Sequence, residues 1–220
     1  MIIKQLNDLK NENEKLKKQI KKTKKTKMII NQNNIIVNQN NILINYNDMN
    51  LEEVDKKLFI QPLINSNYQG KQIILKTIEN IYINEAHPEY HNLIITDKNR
   101  GCIKIYNNGK WKTDNIDLIN MVIDDVVYQS KNILIELKQQ YNNNNNKTLE
   151  RLNTSEKYIN LCNLEYFEDL KDELENNIGL INRCKDFRVM VYNDTINLFH
   201  DNKDILLKTQ KNNKKKIKLN

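Results

Sequence analysis

The chain has 220 residues, is 39% hydrophobic with a mean hydropathy of −0.76, and is rich in Asn, Lys and Ile. With only 4 Gly and 2 Pro it has little room for a glycine-rich phosphate loop, and no apolar run approaches the ~18–20 residues of a membrane span. Its net charge of +7 is unevenly spread: residues 1–27 hold 10 lysines against 3 acids, residues 208–220 hold 6 lysines and no acid, and the stretch between holds 19 basic and 25 acidic residues.

Residues 2–23 carry a heptad. Ile2, Leu9, Leu16 and Thr23 fall at d, and Leu6, Asn13 and Ile20 fall at a. A single Asn at a between leucines at d favours a parallel dimer, because its amide pairs across the seam. Leu6, Leu9, Asn13, Leu16 and Ile20 are therefore the expected dimerisation residues. The lysine run that follows, with Lys21, Lys22, Lys24 and Lys25, suits a polyanion. Residues 28–41 read as an Asn-rich linker or a strand at Ile35–Val37, and Ile42–Ile44 reads as a second short strand.

Asp48 and Asn50 precede Leu51–Phe59, whose Leu51, Val54 and Leu58 share a helical face, and Pro62 is expected to end that helix. The spacing of Ile74, Thr77, Ile78 and Ile81 predicts a helix over Gln72–Ile83. Asn92–Thr96 and Cys102–Tyr106 read as strands, and Asn108–Gly109 reads as a hairpin turn before Lys110–Thr113. A long helix is expected from Asp114 to Tyr141. The Asn run within 142–147 reads as a linker, helical periodicity returns over 148–207 with a last helix at Ile178–Phe199, and 208–220 reads as a basic, disordered tail. The expected fold is α+β: a small antiparallel sheet packed on helices within 42–141, an N-terminal coiled-coil helix and a helical C-terminal half.

The chain offers few motifs with chemistry. His87 and His91 have the spacing of half a zinc finger, but no close cysteine pair precedes them, so turn histidines are expected and no metal site. Asp124 and Asp125 are adjacent, point to different faces of a helix, and read as solvated. The three cysteines Cys102, Cys162 and Cys184 lie far apart without a CxxC, which fits reduced thiols in a soluble intracellular protein. No catalytic residues and no cofactor are expected. Lys98, Arg100, Lys104, Lys110 and Lys112 surround the lone Trp111, an arrangement able to stack and clamp single-stranded nucleic acid if the Trp is not a core anchor. In the tail, Lys214, Lys215 and Lys216 are the corresponding cations.

Residues Ile78–Lys112 resemble a protein family of giant, mimivirus-like DNA viruses. The resemblance rests on Tyr82-Ile83-Asn84, His87-Pro88-Glu89-Tyr90-His91-Asn92, the apolar strand after it and Tyr106-x-x-Gly109-x-Trp111, with a similar lead-in at ILINYNDMNLEEVDKKLF. It covers roughly Ile42–Tyr141 and, more weakly, Phe187–Tyr192. Members often join a C2H2 zinc finger to a coiled coil and this domain. The finger's ligands are absent here, so the resemblance implies neither zinc nor base readout. It implies a viral accessory protein of the host cytoplasm (the viral factory) or the virion. The expected function is non-enzymatic: self-association as a homodimer and non-specific electrostatic binding of DNA or RNA. The alternatives are a scaffold for an unknown protein partner and a divergent HNH-like nuclease built on His87, His91 and Asn92. No membrane association is expected.

Overall fold

A computed structural model describes residues 43–141, 146–163 and 178–217. The expected coil at 2–23, the strand at Ile35–Val37, the Asn run at 142–145 and the apolar series Leu164–Leu174 lie outside these residues. The segment after Ile42 is not a strand: Leu43 is buried at a bend, and the Ile44 N–H bonds the Glu89 carbonyl at 2.8 Å. A 3-10 turn at Tyr46–Asp48 follows.

The first α-helix, α1, is Lys57–Ile64, and it starts later than its sequence predicts. The Asn50 Oδ1 accepts from the Glu52 N–H at 3.0 Å, which turns the chain instead of opening a helix. Asp55 does the same for the Lys57 N–H at 3.0 Å, and the helix starts there. Pro62 lies inside α1 rather than ending it. Its missing N–H would orphan the Leu58 carbonyl, but Asn80 Nδ2 donates to that carbonyl at 3.1 Å from the next helix.

That helix, α2 (Lys71–Tyr82), agrees closely with the expected span and buries Ile73, Ile74, Thr77, Ile78, Ile81 and Tyr82. The sheet is β1 (Leu93–Ile94), β2 (Cys102–Asn107) and β3 (Lys110–Asn115), antiparallel in that order. Its tight turn places Asn108 at φ 50° and Gly109 at φ 74°, the left-handed pair that a two-residue hairpin needs. β3 extends through Asn115, so α3 runs Leu118–Tyr141, a few residues later than predicted. Three further helices complete the described chain: α4 (Asn146–Cys162), α5 (Ile178–Asp201) and α6 (Lys203–Ile217).

The fold is α+β, a small antiparallel sheet on helices with a helical C-terminal half. The described residues from Leu43 onward form one compact unit. Leu152, Ile159, Val191, Phe199 and Leu206 belong to the same buried cluster as Phe59, Ile78, Ile94 and Val126. The helices after the Asn-rich run therefore complete the core of the sheet region and do not build a second one. The expected disordered tail is corrected: helix α6 continues to Ile217, with Leu206 fully buried and Thr209 nearly so. Burying such side chains against the body supplies the ordering free energy that the tail's polar composition lacks.

Candidate nucleic-acid interface

The predicted basic hairpin is resolved by its strand register. Lys104 stands opposite Thr113, and Tyr106 stands opposite Trp111. Lys112 is opposite Ile105, and Lys110 is opposite Asn107. Paired residues share a face and neighbours along a strand alternate. Lys104 and Trp111 therefore lie on one face, and Lys110 and Lys112 on the other. All three lysines are exposed, and none has an ion-pair partner among the described residues. Trp111 is half-buried against the core, its ring centroid 5.7 Å from that of Tyr106.

Of the other two cations, Lys98 is engaged with the body, while Arg100 is 77% exposed and pairs only with its near neighbour Asp97. Lys98 Nζ donates to Asn197 Oδ1 at 2.7 Å and lies 3.3 Å from Asp201 Oδ1, both on α5. Hydrogen bonds to His200 and Lys98 hold the Asp201 carboxyl below its usual range. Arg100 Nε pairs with Asp97 Oδ2 at 2.9 Å. The register thus divides the three strand lysines between two faces, and Lys98 is drawn to α5. The sequence clusters these four, while pairing and pleat divide them.

The C-terminal lysines fare differently. Lys214, Lys215 and Lys216 belong to α6, and the first turns of this helix are fastened to the body. Lys208 Nζ lies 3.7 Å from Glu85. The fully buried His91 spans the junction: Nε2 meets the Asn84 carbonyl at 3.0 Å and Nδ1 meets Thr209 Oγ1 at 2.9 Å. A carbonyl only accepts, so Nε2 carries a proton; in the neutral ring Nδ1 accepts from the Thr209 hydroxyl, which then does not donate to the Ile205 carbonyl 3.3 Å away. Thr209 escaped the sequence reading because its partner is 118 residues away. The continuation of Ile205, Leu206 and Thr209 at helical spacing is the signal that would have found it.

Burial lowers the His91 pKa below the ordinary 6.5, against the opposing pull of its backbone partner Asn84. The charged groups around it are Glu85 and Glu89, which favour protonation, and Lys208 on α6. The unfolded chain takes up this proton before the folded one does. Stability contributed at neutral pH is therefore lost as pH falls below 6.5. Urea midpoints measured between pH 7.5 and 5.5 should decline, and His91→Gln should flatten that part of the profile.

His87 stands apart from His91. Its Nδ1 lies 3.1 Å from Glu89 Oε1 and its ring stacks on Tyr90. Both nitrogens of His91 are already bonded, so it presents no base to solvent. Asn92 is also fully buried and directs Nδ2 to the Met49 sulfur at 3.3 Å. Among the described residues no group of three or more His, Cys, Asp or Glu side chains could hold a metal ion.

The paired aspartates have separate roles. Asp125 stands at the surface, and partial desolvation by its neighbours, then the adjacent Asp124 charge, raise the pKa of its carboxyl. Asp124 accepts from Arg188 Nη1 at 2.7 Å, which the sequence did not reveal. The largely buried Arg188 guanidinium also donates to the Cys162 carbonyl at 2.9 Å and the Asn120 carbonyl at 3.0 Å, joining α3, α4 and α5. The three cysteines are free thiols. Burial pushes the Cys162 thiol up to about 11, Arg188 partly opposing it, so little thiolate forms at neutral pH.

No described helix is long and apolar enough to cross a membrane. No family model, curated protein or solved structure matches the chain.

Proposed function

We propose that this chain is a non-enzymatic viral accessory protein that self-associates and binds nucleic acid electrostatically, with little sequence preference. The observation that supports the reading most is charge segregation: +7 in residues 1–27 and +6 in residues 208–220, on either side of a stretch with six more acids than bases. Lysine contacts to phosphate position a protein on nucleic acid without reading bases. The order of α6 adds to this, since a basic helix fastened to the body presents its charge at lower entropic cost than a free tail. The viral factory or the virion is the proposed location, and the heptad at Leu6–Ile20 the proposed source of a homodimer.

The reading makes a quantitative prediction. If about five to eight of the 16 end lysines meet phosphates, log K on duplex DNA falls with log salt at a slope of roughly −4 to −7. Fluorescence anisotropy with labelled duplex DNA and single-stranded RNA between low and moderate salt measures it. A slope near zero, or a strong preference for one sequence, would sink the proposal.

A further inference from the structure

The inward face of α3 is amphipathic in the usual way: Ile119, Val122, Ile123, Val126, Ile133 and Leu134 are buried. Its solvent face is not. Met121, Tyr128 and Ile135 are 57%, 54% and 45% exposed, and they repeat at intervals of seven. Seven residues are almost two helical turns, so the three side chains form one stripe spanning about 21 Å at 1.5 Å per residue. The positions between them, Asp124, Asp125, Lys131 and Asn132, are polar, so the stripe offers one apolar position per heptad, a narrow ridge against which an amphipathic helix can lie.

The surroundings say which sign of helix. Asp117 and Asp125 flank the stripe, and neither has an ion-pair partner among the described residues. Glu136 and Asp124 are already paired, with Lys56 and Arg188. Lys131 is the only cation of α3 on this side, because Lys138 is tied to Glu156. Beside Tyr128 opens a cleft of about 220 Å³ lined by Met49, Leu51, Glu52, Asp125 and Gln129. Glu52 also lacks an ion-pair partner among the described residues. Two carboxylates beside an aromatic ring and a thioether form a receptor for one ammonium or guanidinium group, which would gain charge pairing and the ring face together.

We propose that the solvent face of α3 is a docking surface for a basic amphipathic helix of a partner protein, its apolar residues lying along Met121, Tyr128 and Ile135 and one Lys or Arg entering the cleft at Glu52 and Asp125. The proposal is independent of nucleic-acid binding, because this surface carries the opposite sign of charge.

Two labelled synthetic helices of three heptads test it on the full chain at physiological salt. They share leucines at a and d, one carrying lysines elsewhere and the other glutamates. The lysine helix is expected to bind at least about tenfold more tightly, and Asp125→Lys or Ile135→Lys each to weaken it by about tenfold. Both side chains are exposed, so melting temperatures of the variants should stay near the parent's, and a variant that fails to fold is replaced by Tyr128→Ser. Equal binding of the two helices overturns the proposal. So does lysine-helix binding that ignores all three substitutions, since the contact then lies elsewhere on the acidic body. Loss of the chain's own self-association in Ile135→Lys, with no peptide bound by the parent, would assign the stripe to a second copy and also overturn it.

Discussion

Phe199→Ala should lower the stability of the whole body by about 3–5 kcal/mol, the usual cost of deleting a fully buried aromatic side chain. Phe199 lies near the end of α5 and is 0% exposed. Its ring meets Tyr82 of α2 edge-on, with centroids 5.9 Å apart at 63°. Such a pair adds roughly 0.5–1.5 kcal/mol to the area term. The site is walled by two helices far apart in sequence, so it cannot collapse without moving both. Because one buried cluster includes residues from Val54 to Leu206, the loss should register in every probe. Urea unfolding followed by far-ultraviolet dichroism and by Trp111 fluorescence should shift together. Separate transitions, or a change confined to the dichroism, would mean that α5 and α6 form their own folding unit.

Arg188→Leu should cost about 2–4 kcal/mol, below the Phe199 effect and far above that of an ordinary surface charge. The guanidinium holds acceptors on two other helices: Asn120 and Asp124 on α3, and the terminal carbonyl of α4 at Cys162. A leucine leaves the Cys162 carbonyl without this donor at a helix end, where no intrahelical donor remains. Asp124 is 41% exposed and can rehydrate, which keeps the expected cost below that of a fully buried pair. Asp124→Asn, which retains an acceptor, should cost about 1 kcal/mol or less. Comparing the two variants by chemical unfolding separates the backbone anchoring from the ion pair. Equal effects would place all the energy in Arg188–Asp124.

The parts of the fold legible in the sequence are those set by local signals. The Asn108–Gly109 turn follows from two residues that tolerate positive φ, and α2 from isoleucines at helical spacing. The misread parts depend on distant partners. Pro62 is a helix stop in sequence, yet Asn80, 18 residues on, satisfies the carbonyl it would orphan. The tail after Lys208 is polar enough to read as disordered, yet Thr209 closes on His91. The start of α1 is not legible because Asn50 and Asp55 make the same kind of turn, and only one of them is followed by a helix. The candidate interface was half legible. Sequence counts lysines correctly, but only the strand register separates Lys104 from Lys110 and Lys112, and only the fold shows Lys98 engaged with α5.

That geometry also decides how the functional reading should be tested. Cutting the chain before Lys208 would remove Thr209 and leave the buried Nδ1 of His91 without its partner, so lost binding could reflect damage to the body. Neutralisation avoids this. Lys21, Lys22, Lys24, Lys25 and Lys27, together with Lys211, Lys214, Lys215, Lys216 and Lys218, are changed to Gln, while Lys208 and Thr209 are kept. The measurement is the affinity of this variant and of the parent for one labelled duplex DNA and one single-stranded RNA at low salt, with melting temperatures compared. The account predicts an unchanged fold and an affinity lower by about 100-fold or more for both nucleic acids, given the steep dependence of affinity on the number of phosphates neutralised. Equal binding by the two proteins would contradict it and move the contact to Lys104, Lys110 and Lys112, and no binding by the parent would refute nucleic acid as the partner.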